Sequence, residues 1–322
     1  SAYLSLEARY SFLGAFDTSL AIAEMAHTVA RTHDLPAPLS AVLQHLVVLY
    51  GPRDLSTALT LSEEAVSAAR RAGQRQSFDF SLANRAYTLW SAGQLEAMRA
   101  TVLEMQETVR HAVDMANCAG LLVGWVTGDE MGLMDPTVGY LAEDAAWAAA
   151  TRVAHAVTTG DGAAGVTAAA AAWDGILETY GLEDDFPQIW ALFLEAGFMA
   201  GDVAFVERLL EPVTSAPARS LSHLVLAQLR LAQGRLGALR GDDPADVETA
   251  LREGADRLSA FGARLHAARA TEHLGHWLLA RGRADEAEAQ LDRAASAYSE
   301  LGALGWLRAL QEARALSLTP RA

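Results

Sequence analysis

Polar bends marked mostly by glycine recur along this chain at intervals close to forty residues, and no other feature restricts the fold as much. Gly14, Arg53, Gly93, Gly128, Gly160, Gly201, Asp242 and Gly282 occupy the bend position, 32–41 residues apart. Typical contexts are Gly93-Gln-Leu-Glu-Ala-Met98, Gly201-Asp-Val-Ala-Phe-Val206 and Gly282-Arg-Ala-Asp-Glu-Ala287. Each is a polar turn followed by apolar residues three and four apart, the period of an amphipathic helix. A second set, Gly73, Gly181, Gly262 and Gly302, ends the helix that follows the bend; Phe261-Gly262 and Leu301-Gly302 lie 40 residues apart, an independent measure of the same period. No alternating strand pattern interrupts it. Self-similarity at such a period means stacked units, none of which can bury its apolar face alone.

The clearest unit lies near the C-terminus, where Leu274 and Gly275 are followed by Leu278, Gly282, Ala287, Leu291 and Ala294. Small residues there let two antiparallel helices approach, and large ones fill the space between pairs. The spacing resembles the tetratricopeptide pattern over both helices. The expected fold is therefore all-α: a tetratricopeptide-like α-solenoid, a right-handed superhelix of about eight helix hairpins plus a C-terminal capping helix. The first helix of each hairpin is expected over 3–13, 38–50, 80–92, 115–127, 145–159, 187–200, 220–239 and 266–281, with the cap over 303–316. Gly128, Gly132, Pro136 and Gly139 break the pattern. The expected organisation is thus N-terminal repeats over 1–127, an irregular joint over 128–144, C-terminal repeats over 145–302, and cap and tail over 303–322.

Composition narrows the function classes. The chain has 322 residues, of which 51% are hydrophobic, ample for a packed core. Alanine, the best helix former, dominates. Lysine is absent: all 25 basic residues are arginine, as expected of a GC-rich bacterial gene. A net charge of −15 with no basic stripe argues against binding nucleic acid, which demands neutralisation of phosphates. No apolar run reaches the ~18–20 residues needed to span a bilayer, and no signal peptide is evident, so no membrane partner and a cytoplasmic location are expected. The single cysteine, Cys118, has no disulfide partner within the chain and reads as a small apolar residue inside a helix. The start at Ser1 instead of methionine suggests an excised fragment.

Motifs suggestive of chemistry fail on context. Residues 160–165, Gly-Asp-Gly-Ala-Ala-Gly, match a dinucleotide fingerprint, and Gly160 to Thr167 approach a phosphate-binding loop, except that Val166 stands where lysine is required. Both motifs need a preceding strand, whereas Ala145 to Thr159 reads as helix. His273 and His276 are one turn apart beside Glu272, but a third ligand at matching spacing is missing. His27, His45 and His155 are scattered, without a nucleophile–base pairing. The run Glu183-Asp184-Asp185 before Phe186-Pro187 reads as a helix N-terminal flank. No metal, cofactor or catalytic residue is expected, and the chain is not expected to be an enzyme.

The register of the bends predicts which side chains line the inner surface of the stack. They are Phe80, Tyr87 and Trp90 in the third hairpin, Cys118, Leu122 and Trp125 in the fourth, and Trp147 in the fifth. Gln188, Glu195 and Phe198 follow in the sixth, and Arg269, Glu272 and His276 in the last. The middle of that groove would be aromatic and its C-terminal end polar, a form suited to a small molecule or a peptide. Alternatively, the aromatics pack between hairpins, as a register error of one residue would imply.

Two passages carry a more specific resemblance: Glu248 to Gly262, and Ala270 to Ala287 with the Leu-Gly ending at 302. They are similar to the C-terminal tetratricopeptide region of large bacterial signalling ATPases, either LuxR-type ATP-binding transcriptional regulators or cyclase-linked ATPases. The resemblance is good over about 187–316 and generic before that. The terminal Leu318-Thr-Pro-Arg-Ala322 looks like the start of the DNA-binding domain that follows the repeats in the LuxR-type proteins. The resemblance implies a non-catalytic sensor or regulatory arm. It would take a small-molecule inducer, or a partner protein or peptide, in its concave groove, and could act in a homo-oligomer. A protein-interaction scaffold without small-molecule sensing is the alternative.

Overall fold

The computed structural model describes residues 16–132, 145–182 and 185–318. The expected first helix over 3–13, the bend at Gly14, most of the joint over 128–144, Glu183-Asp184 and the last four residues lie outside the described residues. Among the described residues there are fifteen α-helices, one short 3-10 helix (Ala218–Ser220) and no strand. In chain order they are α1 (Phe16–Thr32), α2 (Pro36–Tyr50), α3 (Leu55–Ala72), α4 (Arg75–Ala92), α5 (Leu95–Thr108), α6 (Val113–Thr127), α7 (Ala145–Thr159), α8 (Gly162–Tyr180), α9 (Phe186–Ala200), α10 (Val203–Ser215), α11 (His223–Arg240), α12 (Pro244–Phe261), α13 (Arg264–Ala280), α14 (Ala284–Leu301) and α15 (Leu304–Leu318).

The bends are built as their residues dictate. At Gly201 the chain enters the left-handed region (φ +65°), which glycine reaches without a Cβ penalty, and the Asp202 carboxylate accepts from Phe205 N–H at 2.9 Å to start α10. Asp161 and Asp243 cap α8 and α12 in the same way. Two bends differ from expectation. The left-handed residue before α12 is Gly241 and not Asp242, since only glycine takes that conformation freely. At Arg53 the bend has no left-handed residue: Gly51 stays helical, Pro52 ends the run because it lacks an N–H, and Asp54 caps α3. Between α5 and α6 the buried Asp79 carboxylate, from α4, holds the turn by accepting from the N–H groups of Arg110 and His111 at 2.8 and 2.9 Å.

Each helix packs on the next in sequence, and inner helices also pack on the next but one: α2 on α4, α4 on α6, α7 on α9, α9 on α11 and α11 on α13. This nearest-neighbour arrangement is compatible with an α-solenoid. One apolar core runs from Val66 to Leu310 and draws on both sides of the 133–144 segment; a separate cluster holds the N-terminal helices together. The stack also meets itself. Helix α4 packs on α13 and α6 on α15, and Leu224 N–H at the start of α11 donates to the Pro52 carbonyl at 3.0 Å. The inner surface of the first helices therefore faces the C-terminal ones.

Candidate functional site

Helices α9, α11 and α13 occupy the same position in three successive repeats, so their inner faces can be read in register. Gln188, Gln228 and Arg269 each stand thirteen residues before the bend glycines Gly201, Gly241 and Gly282; Glu195, Arg235 and His276 each stand six before. Thirteen and six differ by two helical turns, which keeps both rows on one face. His266, Arg269, His273 and His276 form a single stripe on α13, spaced three, four and three.

These side chains meet in one half-buried charged network, with Glu272 its most buried member. Arg235 Nη1 donates to Glu195 Oε2 at 2.6 Å, and Arg269 lies 3.6 Å from the other Glu195 oxygen. Arg269 Nη1 also donates to Glu272 Oε2 at 2.7 Å, the same oxygen that accepts from Tyr298 Oη at 2.5 Å; His276 Nε2 is 3.4 Å from Oε1. Burial by itself would raise the Glu195 carboxyl, but Arg235 and Arg269 outweigh it and hold the group well below the usual carboxylate range. Glu272 follows the same balance: burial opposes ionisation, and His276, Arg269 and Tyr298 bring it down to about 2. The histidines respond oppositely. Burial lowers His266 to about 4, and burial together with Arg235 and Arg269 keeps His273 neutral, well below its ordinary value. Two guanidinium groups thus face two carboxylates, with the imidazoles of His266 and His273 held neutral beside them.

An aromatic clasp covers this network. The Trp306 ring on α15 stands edge-on to Trp125, Tyr298 and Trp90, at centroid separations of 5.0, 5.6 and 6.4 Å. The Arg269 guanidinium lies 4.9 Å from the Trp306 centroid and 5.9 Å from that of Trp125, within cation–π range. Arg235 is 3.9 Å above the Phe198 ring, and His266 meets Trp90 edge-on. The network is not sealed: the side chains of Arg269 and His276 retain 24% and 40% of their accessibility, so solvent enters past His276. Several buried polar atoms on α9, α11, α13 and α15 have no hydrogen-bond partner among the described residues: Gln188 Oε1, Gln228 Oε1, Arg269 Nε, His273 Nε2 and Trp306 Nε1.

Of the residues expected on the inner surface, the fold brings Trp90, Trp125, Glu195, Phe198, Arg269, Glu272 and His276 together here. Tyr87 and Trp147 pair with each other elsewhere, at 4.6 Å, with Trp147 Nε1 donating to Asp185 and Tyr87 Oη to the Met115 carbonyl. Leu122 is buried in the main core, and Phe80 packs against it. Cys118 is buried in that core, where burial pushes its thiol up to about 12. Arg235, His266, His273, Tyr298 and Trp306 complete the network without having been singled out for the inner surface. The register that selected Glu195 also selects Arg235. Trp306 offered no comparable signal, because it sits on the cap, outside the register counted from the bends.

The discounted motifs have structural roles. Gly160 forms a bend, Asp161 caps α8, and Gly162 and Gly165 face α9 so closely that a Cβ would stand 2.6 Å from Ala200 N and 2.8 Å from Ala196 Cβ. The glycine run is thus a helix-crossing site, and it follows a helix. Among the described residues no group of three His, Cys, Asp or Glu side chains could hold a metal ion, and no helix is long and apolar enough to cross a membrane. A cavity of about 460 Å³ lies between the start of α1, Arg53 and the segment 219–223, and one of about 510 Å³ between the start of α3, α11 and the end of α12; Arg53 and His223 line both. No protein-family model matches the chain, and no curated protein sequence matches it.

Proposed function

We propose that this chain is a non-catalytic sensor domain, a tetratricopeptide-like regulatory arm of a bacterial transcription regulator or signalling ATPase. In this reading it binds a small-molecule inducer on its inner face. The observation that carries it is the row of buried, unpartnered polar atoms on α9, α11, α13 and α15. Buried polar groups are ordinarily satisfied, and five of the nine unpartnered buried side-chain atoms among the described residues fall on these four helices, the kind of gap a ligand would complete. The charged groups around it are committed to one another and suit binding more than proton transfer. The contacts of α4 with α13 and of α6 with α15 cover part of the inner face, which favours the small molecule over the protein scaffold.

Such a ligand would work by linkage. It shifts an equilibrium only through different affinities for two arrangements, and the contact between α6 and α15 is the element whose two arrangements it would distinguish. A thermal-denaturation screen of the purified chain against a metabolite library tests this. A concentration-dependent rise in Tm that is lost in the Arg269→Met variant is expected. A library-wide absence of any shift, or a shift untouched by that variant, overturns the reading.

A further inference from the structure

Helix α13 presents side chains on two opposite sides. Its inner stripe, His266, Arg269, His273 and His276, belongs to the charged network. Arg264, Ala267, Ala268 and Thr271 lie on the other side of the helix cylinder and line a cavity of about 390 Å³ between α12, α13 and α14. That volume falls within the range of small-molecule sites, roughly 300–1,000 Å³. Arg252, Asp256 and Ser259 from α12 and Gln290 and Arg293 from α14 complete its polar lining.

The preceding hairpin shows what this one lacks. Arg230 and Thr271 each stand eleven residues before a bend glycine, Gly241 and Gly282; Glu253 and Arg293 each stand nine before Gly262 and Gly302. In the α11–α12 hairpin these positions form an ion pair, Arg230 Nε donating to Glu253 Oε2 at 2.6 Å. In the α13–α14 hairpin they hold a short hydroxyl side chain and a guanidinium, and the acid is gone. Thr271 donates within its own helix, to the Ala267 carbonyl at 2.9 Å. Arg293 donates to the Gln290 carboxamide oxygen and pairs with no carboxylate among the described residues. Ala267 and Ala297 stand where Leu226 and Arg257 stand one hairpin earlier, so methyl groups line the space.

Donors gather at one end of the cavity. Thr271 and Arg293 are each eleven residues from Gly282, on opposite sides of the bend, and Arg252 and Thr271 are ten and nine from Gly262. In antiparallel neighbours, matching counts from a bend put residues at one height, so Arg252 and Arg293 flank Thr271. Arg252 gives Nε and Nη2 to Glu248 Oε1, at 2.9 and 2.7 Å, and keeps Nη1. The Gln290 amide, whose oxygen accepts from Arg293, has its NH₂ group left to donate. Donors from two helices suit the several oxygens of a tetrahedral phosphate better than a planar carboxylate. Asp256, one turn from Arg252 in the α12 wall, only accepts; it takes ligand hydroxyl groups and repels a second anionic group. Arg264 lies at the far end, 3.4 Å from Glu300.

We infer that the α12–α13–α14 cavity is a second binding site, for a small phosphate monoester whose phosphate is held by Arg252, Gln290 and Arg293 and whose hydroxyl-bearing remainder lies towards Asp256 and Ser259. It stands apart from the inner face and does not depend on the sensor reading.

The test is calorimetric titration of the intact chain with glycerol phosphate, a hexose phosphate, a nucleoside monophosphate and inorganic phosphate. Saturable binding of at least one ester is expected, with its dephosphorylated parent binding at least about tenfold more weakly, the loss of a charged hydrogen bond. Arg293→Gln is expected to lose a similar factor. The double substitution Thr271→Arg with Arg293→Glu, which installs the ion pair of the preceding hairpin, is expected to abolish binding and keep Tm. Arg269→Met on the inner face is expected to leave ester binding unchanged, which separates the two sites. The parent compounds act on the unaltered protein, so they decide the matter even if a variant fails to fold. No binding by any ester, equal binding of the parents, tighter binding of inorganic phosphate than of every ester, or unchanged binding in Arg293→Gln overturns this inference and leaves the inner-face reading standing.

Discussion

Gly305 at the start of α15 meets Gly128 at the end of α6 backbone to backbone: a Cβ on Gly305 would stand 2.7 Å from Gly128 N and 2.7 Å from the Trp125 carbonyl oxygen. This glycine pair lets the C-terminal helix reach the N-terminal half of the stack and carry Trp306 to Trp90 and Trp125. A side chain at 305 has only backbone to push against. Gly305→Val should destabilise the chain by about 1–3 kcal/mol, the usual cost of overpacking, and should red-shift tryptophan emission as the clasp loosens. Gly175→Ala is the matched control. A Cβ there meets nothing within 4 Å inside α8, so helix propensity should stabilise by about 0.5–1 kcal/mol. Urea denaturation of both variants measures the difference.

Stability should fall on acidification in two stages. His266 and His273 are held neutral in the folded chain, His266 down to about 4 against an ordinary 6.5. Between those values the unfolded chain binds more protons than the native one, so stability declines as pH drops from about 6.5 towards 4. Glu272 has the carboxylate sign: its stabilisation is complete above an ordinary 4.5 and is lost as pH falls towards about 2. Tm measured against pH should show both stages, and His266→Phe should flatten only the first. A curve unchanged by that substitution would exclude His266 as a contributor.

Glu272 accepts from Arg269 and Tyr298 and lies beside His276, with 8% of its side chain exposed. Glu272→Gln leaves the Arg269 charge with Glu195 alone. A loss of roughly 3 kcal/mol is expected, the scale for breaking a buried pair by removing one partner. Tyr298→Phe should cost less, and a double-mutant cycle should show the two losses to be non-additive, since both substitutions act on one hydrogen bond.

Cys118 is 1% exposed, and burial, more than its neighbours, raises its thiol to about 12. Reaction with a thiol reagent such as DTNB should be negligible in the native chain at pH 8 and rapid in denaturant, because the thiolate is the nucleophile. Fast native labelling would show that α6 opens readily from the core.

The helices were legible because their signals are local. The expected ranges 145–159 and 187–200 correspond to Ala145–Thr159 and Phe186–Ala200, and Gly93, Gly201 and Gly282 are left-handed bends as their spacing required. Counting from a bend placed 188, 195 and 269 at matching positions of successive helices, but the same count put Tyr87, Leu122 and Trp147 on the inner surface, and these are buried in the main core. Counting could not show which inner residues would meet. Tyr87 and Trp147 satisfied the register yet pair with each other, away from the charged network. Trp306 lacked a hairpin register and proved central to the aromatic clasp.

What the sequence determined by itself, then, is the helical period and the position of most bends. Those depend on backbone conformations and on side chains one or two turns apart. Only the tertiary structure decided that α4 and α6 would close on α13 and α15. That closure puts Trp90 and Trp125 beside Trp306, while the packing of α9 on α11 and of α11 on α13 gathers Glu195, Arg235, Arg269 and Glu272 into one cluster. It is the sum of small rotations at every helix–helix interface, and no single stretch of sequence contains that sum.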